Sequence, residues 1–254
     1  MRRVGILHPG EMGAAVGAVV RGEGWWAPEG RSAATAARAE EAGLHGAPLA
    51  QLLERCDVLV SVCPPHAALD VARSAAGFRG RYCDANAVSP ATALEVARIV
   101  ESGGATFVDG GIVGGPPREP GTRLYLSGAA AGEVAALFEG TLLQPVVLGH
   151  EPGTASALKL CYAGWSKGSA ALLLALDAAA DELGVGEAVR AEWARSVPDV
   201  PERLAAARRS AEKKGWRWTG EMREIAATLR AAGQPSGFHE AAAEVFRRGF
   251  SEPR

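Results

Sequence analysis

Little in this 254-residue chain favours a charged macromolecule as its partner. Lysines and arginines number 27 against 29 acids, so the net charge is -2 and the basic excess of a nucleic-acid surface is missing. Cysteines are few: Cys56, Cys63, Cys83 and Cys161 show no C-x-x-C spacing, which argues against a zinc ribbon or a disulfide scaffold. Three of them lie in or beside apolar runs and read as small buried hydrophobes of a reducing compartment, and no metal is expected. Long apolar runs are absent as well. The most apolar stretch, Ala170 to Leu176, is closed by Lys167 and Asp177 and falls short of the ~20 residues that cross a bilayer. The N-terminus carries no apolar signal core before a small-residue cleavage site. The expectation is a soluble, cytoplasmic protein with neither nucleic acid nor membrane as partner.

What is present begins at once. Val4-Gly5-Ile6-Leu7 is a short apolar run, His8-Pro9-Gly10 a turn, and Glu11-Met12-Gly13-Ala14-Ala15 the start of a small-residue helix. Such a strand–loop–helix opening lets backbone N–H groups at a helix N-terminus meet a pyrophosphate. In the G-x-G-x-x-G pattern, His8 stands at the first glycine, while Gly10 and Gly13 are in place. Gly24 to Ala27 reads as a second strand, followed by Pro28-Glu29-Gly30-Arg31-Ser32. At the end of this strand an acid suits the ribose hydroxyls of NAD, and an arginine suits the extra phosphate of NADP. Glu29 offers the first and Arg31 with Ser32 the second; a guanidinium fork beside a hydroxyl favours the phosphate. Ser32 also reads as the N-cap of an Ala-rich helix to Ala42, and the two roles are compatible.

Further on, Asp57 to Cys63 is a continuous apolar run ended by Pro64-Pro65, as a strand buried on both faces should be. Helical and strand patterns alternate from there through Ala67–Ala75, Arg81–Ala85, Ala91–Ser102, Thr106–Asp109, Arg123–Ser127, Ala131–Phe138 and Val146–Leu148. Ser89 before Pro90 fits an N-cap followed by proline at the first helical position. The alternation predicts a Rossmann-type, doubly wound, largely parallel α/β sheet over residues 1–150. Residues 151–254 are expected to form an all-α C-terminal domain. It opens with a long interdomain helix from Thr154 to about Leu183, followed by helices over 187–195, 201–214, 219–232 and 238–248.

Three stretches in this order carry a resemblance. Val4 to Gly13 resembles the G-x-G-x-M-G opening of the β-hydroxyacid dehydrogenases, the superfamily of 6-phosphogluconate and 3-hydroxyisobutyrate dehydrogenases. Val108 to Gly115 resembles that family's substrate-loop motif D-A-P-V-S-G-G, and Gly153 to Leu160 resembles the interdomain-helix segment that carries its catalytic lysine. Asp84-Ala85-Asn86 with Ser89-Pro90 stands where the family has a nicotinamide-side loop. The tail from Trp216 to Ala226 is similar to a bacterial subgroup with a distinct C-terminal domain of unassigned role. The resemblance implies an NAD(P)-dependent dehydrogenase and a homodimer. Gly10, Glu11, Met12 and Gly13 would hold the pyrophosphate, Arg31 and Ser32 the 2′-phosphate of a preferred NADP(H). Cys63, Pro64 and Asn86 would lie near the nicotinamide, and Gly114 and Gly115 near a small-molecule substrate.

The chain departs from the family in three places: His8 for the first glycine, Val113 for a substrate-loop serine, and Ala163 for an asparagine four residues after the lysine. Lys159 is the expected catalytic residue. A lysine ammonium beside a carbonyl oxygen stabilises the charge that hydride addition builds there and supplies the proton. Helical spacing sets Tyr162, Ala163 and Ser166 beside it, so Tyr162 or Ser166 is the candidate for the missing polar contact. Lys167 is expected at the surface, Glu221 and Glu224 as solvated, and Trp216, Trp218, Phe238 and His239 as helix packing or one side of a pocket. Two rival functions stand beside the hydroxy/oxo oxidoreductase: a C=N (imine) reductase of the same fold, and a catalytically silent dinucleotide-binding sensor or scaffold.

Overall fold

Alternate residues of the apolar runs divide between two cores on opposite faces of one sheet, as the two-residue period of a strand demands. Val4, Ile6, Val58, Val60, Cys83 and Val108 enter one core. Leu7, Leu59, Tyr82 and Phe107 enter the other. The computed structural model describes residues 1–249. The strands are β1 (Arg3–Leu7), β2 (Glu23–Trp26), β3 (His45–Gly46), β4 (Val58–Ser61), β5 (Arg81–Asp84), β6 (Thr106–Val113), β7 (Thr122–Ser127) and β8 (Leu143–Gly149). They pair in the order β3-β2-β1-β4-β5-β6-β7-β8, parallel except where β7 runs antiparallel to β6. The order reverses between β1 and β4, and in sheets of this kind ligands bind outside the carboxyl ends of the strands at such a switch point.

The helices of the first half are α1 (Glu11–Ala18), α2 (Ala33–Glu41), α3 (Leu49–Arg55), α4 (Ala68–Ser74), α5 (Pro90–Ser102) and α6 (Ala131–Ala135). Ser32 and Ser89 cap α2 and α5 as expected, accepting from the backbone N–H of Thr35 and Thr92. Strand β3 and helix α3 are additions to the expected pattern. The strand is only two residues long, and the helix starts behind Pro48, which has no capping side chain of its own, so neither leaves a readable period.

Four more helices follow: α7 (Thr154–Glu182), α8 (Gly186–Ser196), α9 (Val200–Ala231) and α10 (Gly237–Gly249). The chain forms two compact units that divide after Lys159, within α7 rather than at residue 150. The start of α7 belongs with the sheet because it is tied there: Ser127 Oγ accepts from Ala155 N at 3.1 Å and Asp109 Oδ2 from Ser156 N at 3.0 Å. In the second unit, Leu160, Ala163, Ala211, Met222, Ile225 and Phe246 share a core. Helix α9 corrects the expected pair of helices over 201–214 and 219–232. It runs unbroken through Gly215 and Gly220, and Gly215 is itself buried among its packed residues. A glycine inside a helix costs about 1 kcal/mol relative to alanine, a cost small enough for tertiary packing of the helix to offset. Among the described residues no helix is long and apolar enough to cross a membrane.

Candidate functional site

The loop after β1 is shaped by three residues. His8 has φ +67, the left-handed region that side chains other than glycine seldom adopt. Its carbonyl accepts from Gly10 N at 2.8 Å, which folds the loop back before α1 begins. A Cβ at Gly13 would lie 2.4 Å from that same carbonyl oxygen, so only glycine lets the helix approach the loop this closely. A Cβ at Gly10, in contrast, would meet nothing within 4 Å. The protein does not require glycine there, and the open side suits a ligand whose oxygens approach the backbone. Glu11 opens α1, exposed, with Met12 half-buried behind it. The geometry therefore fits a dinucleotide pyrophosphate, with the histidine substitution absorbed by the turn.

At the end of β2 the two candidate ribose-side residues part company. Glu29 Oε1 accepts from the backbone N–H of Leu49 at 3.3 Å, capping the start of α3. Arg31 reaches the other way: its Nη1 meets His8 Nε2. Burial, and then the Arg31 charge, push the His8 pKa down to about 4, so the ring is neutral at pH 7 and accepts from the guanidinium. The proton then sits on Nδ1, a buried atom without a partner among the described residues. His8, Glu29, Arg31, Leu49 and Ser74 help to line a cavity of about 80 Å³. Ser32 Oγ lies 3.1 Å from Thr35 Oγ1, which in turn accepts from Arg38 Nη2 at 3.2 Å. Thr35 and Arg38 escaped the sequence reading. Their spacing of three along one helix face from Ser32 was the available signal.

The loops after β4 and β5 are locked by Asn86, which is buried. Its Nδ2 donates to Ser61 Oγ at 3.0 Å and to Asp84 Oδ1, while its Oδ1 accepts from Cys63 N at 2.5 Å. With both ends of its amide engaged inside the protein, Asn86 sets the course of the Cys63-Pro64 backbone. The Cys63 thiol is pushed up to about 12 by burial and by Asp84, so it stays protonated and is no nucleophile. Asp84 pairs in register with Asp109 on the neighbouring strand. Burial, reinforced by the charge of Asp109, pushes the Asp84 pKa up to about 8. Its Oδ2 and the Tyr82 hydroxyl are buried with no partner among the described residues.

Asp109 is the anchor of Lys159. Its carboxylate accepts from Ser127 Oγ at 3.0 Å, from Ser156 N at 3.0 Å and from Ser156 Oγ at 2.5 Å, pinning the first turn of α7 to β6. Gly111, two residues along β6, completes the contact. A Cβ there would lie 2.8 Å from Ala155 O and 2.9 Å from Lys159 Cβ, so the strand accepts the lysine's helix only through a glycine. Lys159 is half-buried. In the sequence Gly111 and Asp109 are only members of a motif; their work in seating α7 is visible in three dimensions. Gly114, at φ +120, turns the chain out of β6, and Gly115 O accepts from Thr122 Oγ1 at 2.7 Å.

Tyr162 and Ser166 lie in the second unit. Tyr162 is exposed, and the Ser166 hydroxyl donates to the Ala163 carbonyl of its own helix at 3.4 Å. Ala163, where the resemblance would have an asparagine, is buried in the helical core. Two expectations need correction here. Lys167 and Glu221 are neither surface nor solvated: their side chains are 19% and 15% exposed, they pair with each other, and the ammonium lies 5.4 Å from the Trp218 ring centroid. Trp218 packs edge-on against Phe246, whereas Phe238 and His239 line an apolar cavity of about 680 Å³ with Gly164, Gly168 and Leu172.

Comparison with known proteins accords with this geometry. Residues 180–249 match a family described as a domain of unknown function (DUF1932). The solved structure of the conserved protein MTH1747, of unknown function and structurally similar to 3-hydroxyacid dehydrogenases, is 31% identical. The match covers 97% of this chain and 96% of that one, with a TM-score of 0.72. An uncharacterised 28.5 kDa protein in the 7S RNA 5′ region of Methanothermus fervidus is 32% identical over 136 residues, 53% of this chain and 52% of that protein; the match thus spans about half of the relative's length. The 3-hydroxyisobutyrate dehydrogenase of Mycobacterium tuberculosis shares the fold at 16% identity, over 98% of this chain and 93% of that one, with a TM-score of 0.74. With its glycine loop, its switch-point sheet and a lysine helix seated on β6, the chain belongs to the β-hydroxyacid dehydrogenase-like superfamily.

Proposed function

We propose that the chain transfers hydride between NADP(H), taken in preference to NAD(H), and a small hydroxy or oxo compound, with Lys159 passing the proton. Superfamily membership makes it an NAD(P)-dependent oxidoreductase. The observation that carries the cofactor preference is the division between Glu29 and Arg31. The acid that would bind ribose hydroxyls is engaged at the N-terminus of α3. The guanidinium stands at the loop after β1 and keeps further N–H donors for a phosphate. Ser32, Thr35 and Arg38, linked by hydrogen bonds at the start of α2, add hydroxyls and a second cation.

The bound nicotinamide supplies or accepts the hydride. Gly10, Glu11, Met12 and Gly13 form the pyrophosphate loop. Cys63 and Pro64 bound the nicotinamide side, held in course by Asn86, and Gly114 and Gly115 offer backbone N–H groups to the substrate. Lys159, its stem packed on Gly111, is the ammonium that stabilises the developing oxyanion and delivers its proton. We further propose a cytoplasmic homodimer, supported by the exposed apolar side chains of Trp165 (69%), Leu172 (60%) and Phe238 (79%) on the helical unit.

Calorimetric titration with NADPH and NADH tests the reading. NADPH is expected to bind more tightly, and Arg31→Ala is expected to weaken NADPH binding about tenfold or more while leaving NADH nearly unchanged. A protein that binds neither nucleotide overturns the proposal. Once binding is established, carbonyl and imine panels are followed by NADPH consumption. Amine rather than alcohol products would replace the substrate class, and turnover undiminished in Lys159→Ala would remove the lysine from the chemistry.

A further inference from the structure

We infer that His8 is a positioning residue for Arg31, and that through it the chain sets its preference between the two nicotinamide dinucleotides. The inference rests on the reading of the loop after β1 as a dinucleotide site. The position that suits glycine is held by a histidine in left-handed backbone, which side chains seldom tolerate, histidine more readily than most. The imidazole is engaged there: Nε2 meets the Arg31 guanidinium, and the ring is half-buried and neutral. Glu29 is the acid on the same small cavity, and it is turned to Leu49 N. Arg31 is therefore buttressed by a neutral acceptor and keeps its full charge for a ligand, where a carboxylate partner would have cancelled it.

The arrangement assigns a cost and a benefit to one residue. A guanidinium held at one N–H by His8 has lost part of its rotamer freedom before a phosphate arrives, so less is lost on binding. The Nε2 contact also fixes the tautomer and leaves Nδ1–H as a buried donor without a partner among the described residues. A plain glycine at position 8 would give the loop its ordinary conformation and leave Arg31 unsupported.

The test is a set of dissociation constants, measured by calorimetry with NADPH and NADH, for the unaltered protein, His8→Gly, His8→Asn, Arg31→Ala and the double variant His8→Gly/Arg31→Ala. His8→Gly is expected to lower the NADPH-over-NADH preference about tenfold, the loss of one hydrogen bond to a charged group, while NADH binding holds or improves. His8→Asn tolerates the same backbone and offers an acceptor oxygen, so most of the preference should return. In the Arg31→Ala background, His8→Gly should change the preference no further, because the histidine acts through the arginine. An unchanged preference in His8→Gly, or effects that simply add in the double variant, overturns this inference while leaving the NADP reading intact. Failure of the unaltered protein to bind either nucleotide overturns both.

Discussion

The two units spend their polar side chains in opposite ways. In the first, Asp84, Asn86, Asp109, Ser127 and Ser156 are buried at strand and helix ends, where they tie loops to one another. In the second, ion pairs between arginines and acids sit largely at the surface, as in Arg230 with Glu240 and Arg247 with Glu244. Apolar side chains such as Trp165 and Phe238 are left exposed there. A buried polar group without its partner costs about 1–3 kcal/mol, whereas an exposed ion pair contributes about 0–1 kcal/mol. Precision is therefore concentrated in the sheet unit, beside the loops that carry the proposed chemistry. The helical unit is held mainly by apolar packing.

Substitutions can sharpen or break that contrast. The largest loss is expected for Asp109→Ala, which strips two hydrogen bonds from Ser156 at the start of α7 and one from Ser127 at the end of β7; denaturant unfolding should show a loss of about 3–4 kcal/mol. Gly111→Ala should follow with about 2–3 kcal/mol, because its methyl group has to displace Ala155 O or the Lys159 stem. Lys167→Met, at one of the enclosed pairs of the helical unit (buried Asp177 with Arg190 and Arg208 is another), leaves Glu221 half-enclosed without its cation and should cost about 2 kcal/mol. Lys167→Met/Glu221→Leu should recover most of it, since an apolar pair of similar volume serves a packed interface as well as an ion pair. A double variant as unstable as the single one would mean that the pair itself is needed.

Asp84 supplies a pH-dependent test of the same idea. Its folded pKa, about 8, lies above the unfolded carboxyl value, so between those limits the native state holds a proton that the unfolded chain has lost. Stability from this group therefore falls as pH rises towards 8 and levels off above it. Relative to the unaltered protein, Asp84→Asn should flatten the decline between pH 6 and pH 8 by about 2 kcal/mol. Parallel pH profiles for the two proteins would show that the carboxyl is ionised throughout. Smallest of all, Arg230→Ala removes an exposed pair and should shift stability by less than about 0.5 kcal/mol.

Much is legible in the sequence because it depends on neighbours along the chain. The alternating apolar runs named the sheet, Ser32 and Ser89 named two helix starts, and Gly10 and Gly13 with the Lys159 segment named the superfamily. Capping, strand periodicity and the steric freedom of glycine all act within a few residues, so the chain itself displays them. Distance along the chain hid the rest. The continuity of α9 through Gly215 depended on what packs against it, and β3 and α3 were too short to show a period. Lys167 looked like any helical lysine until Glu221, fifty-four positions away, proved to be its partner. The choice between Glu29 and Arg31 turned on Leu49 N and His8, which only folding brings to the end of β2. Sequence by itself thus determined the fold and the chemical kinds of residue at the site. Tertiary structure alone decided which of them are engaged with the protein and which remain for a ligand, because a hydrogen bond is settled by proximity in space and burial sets its strength.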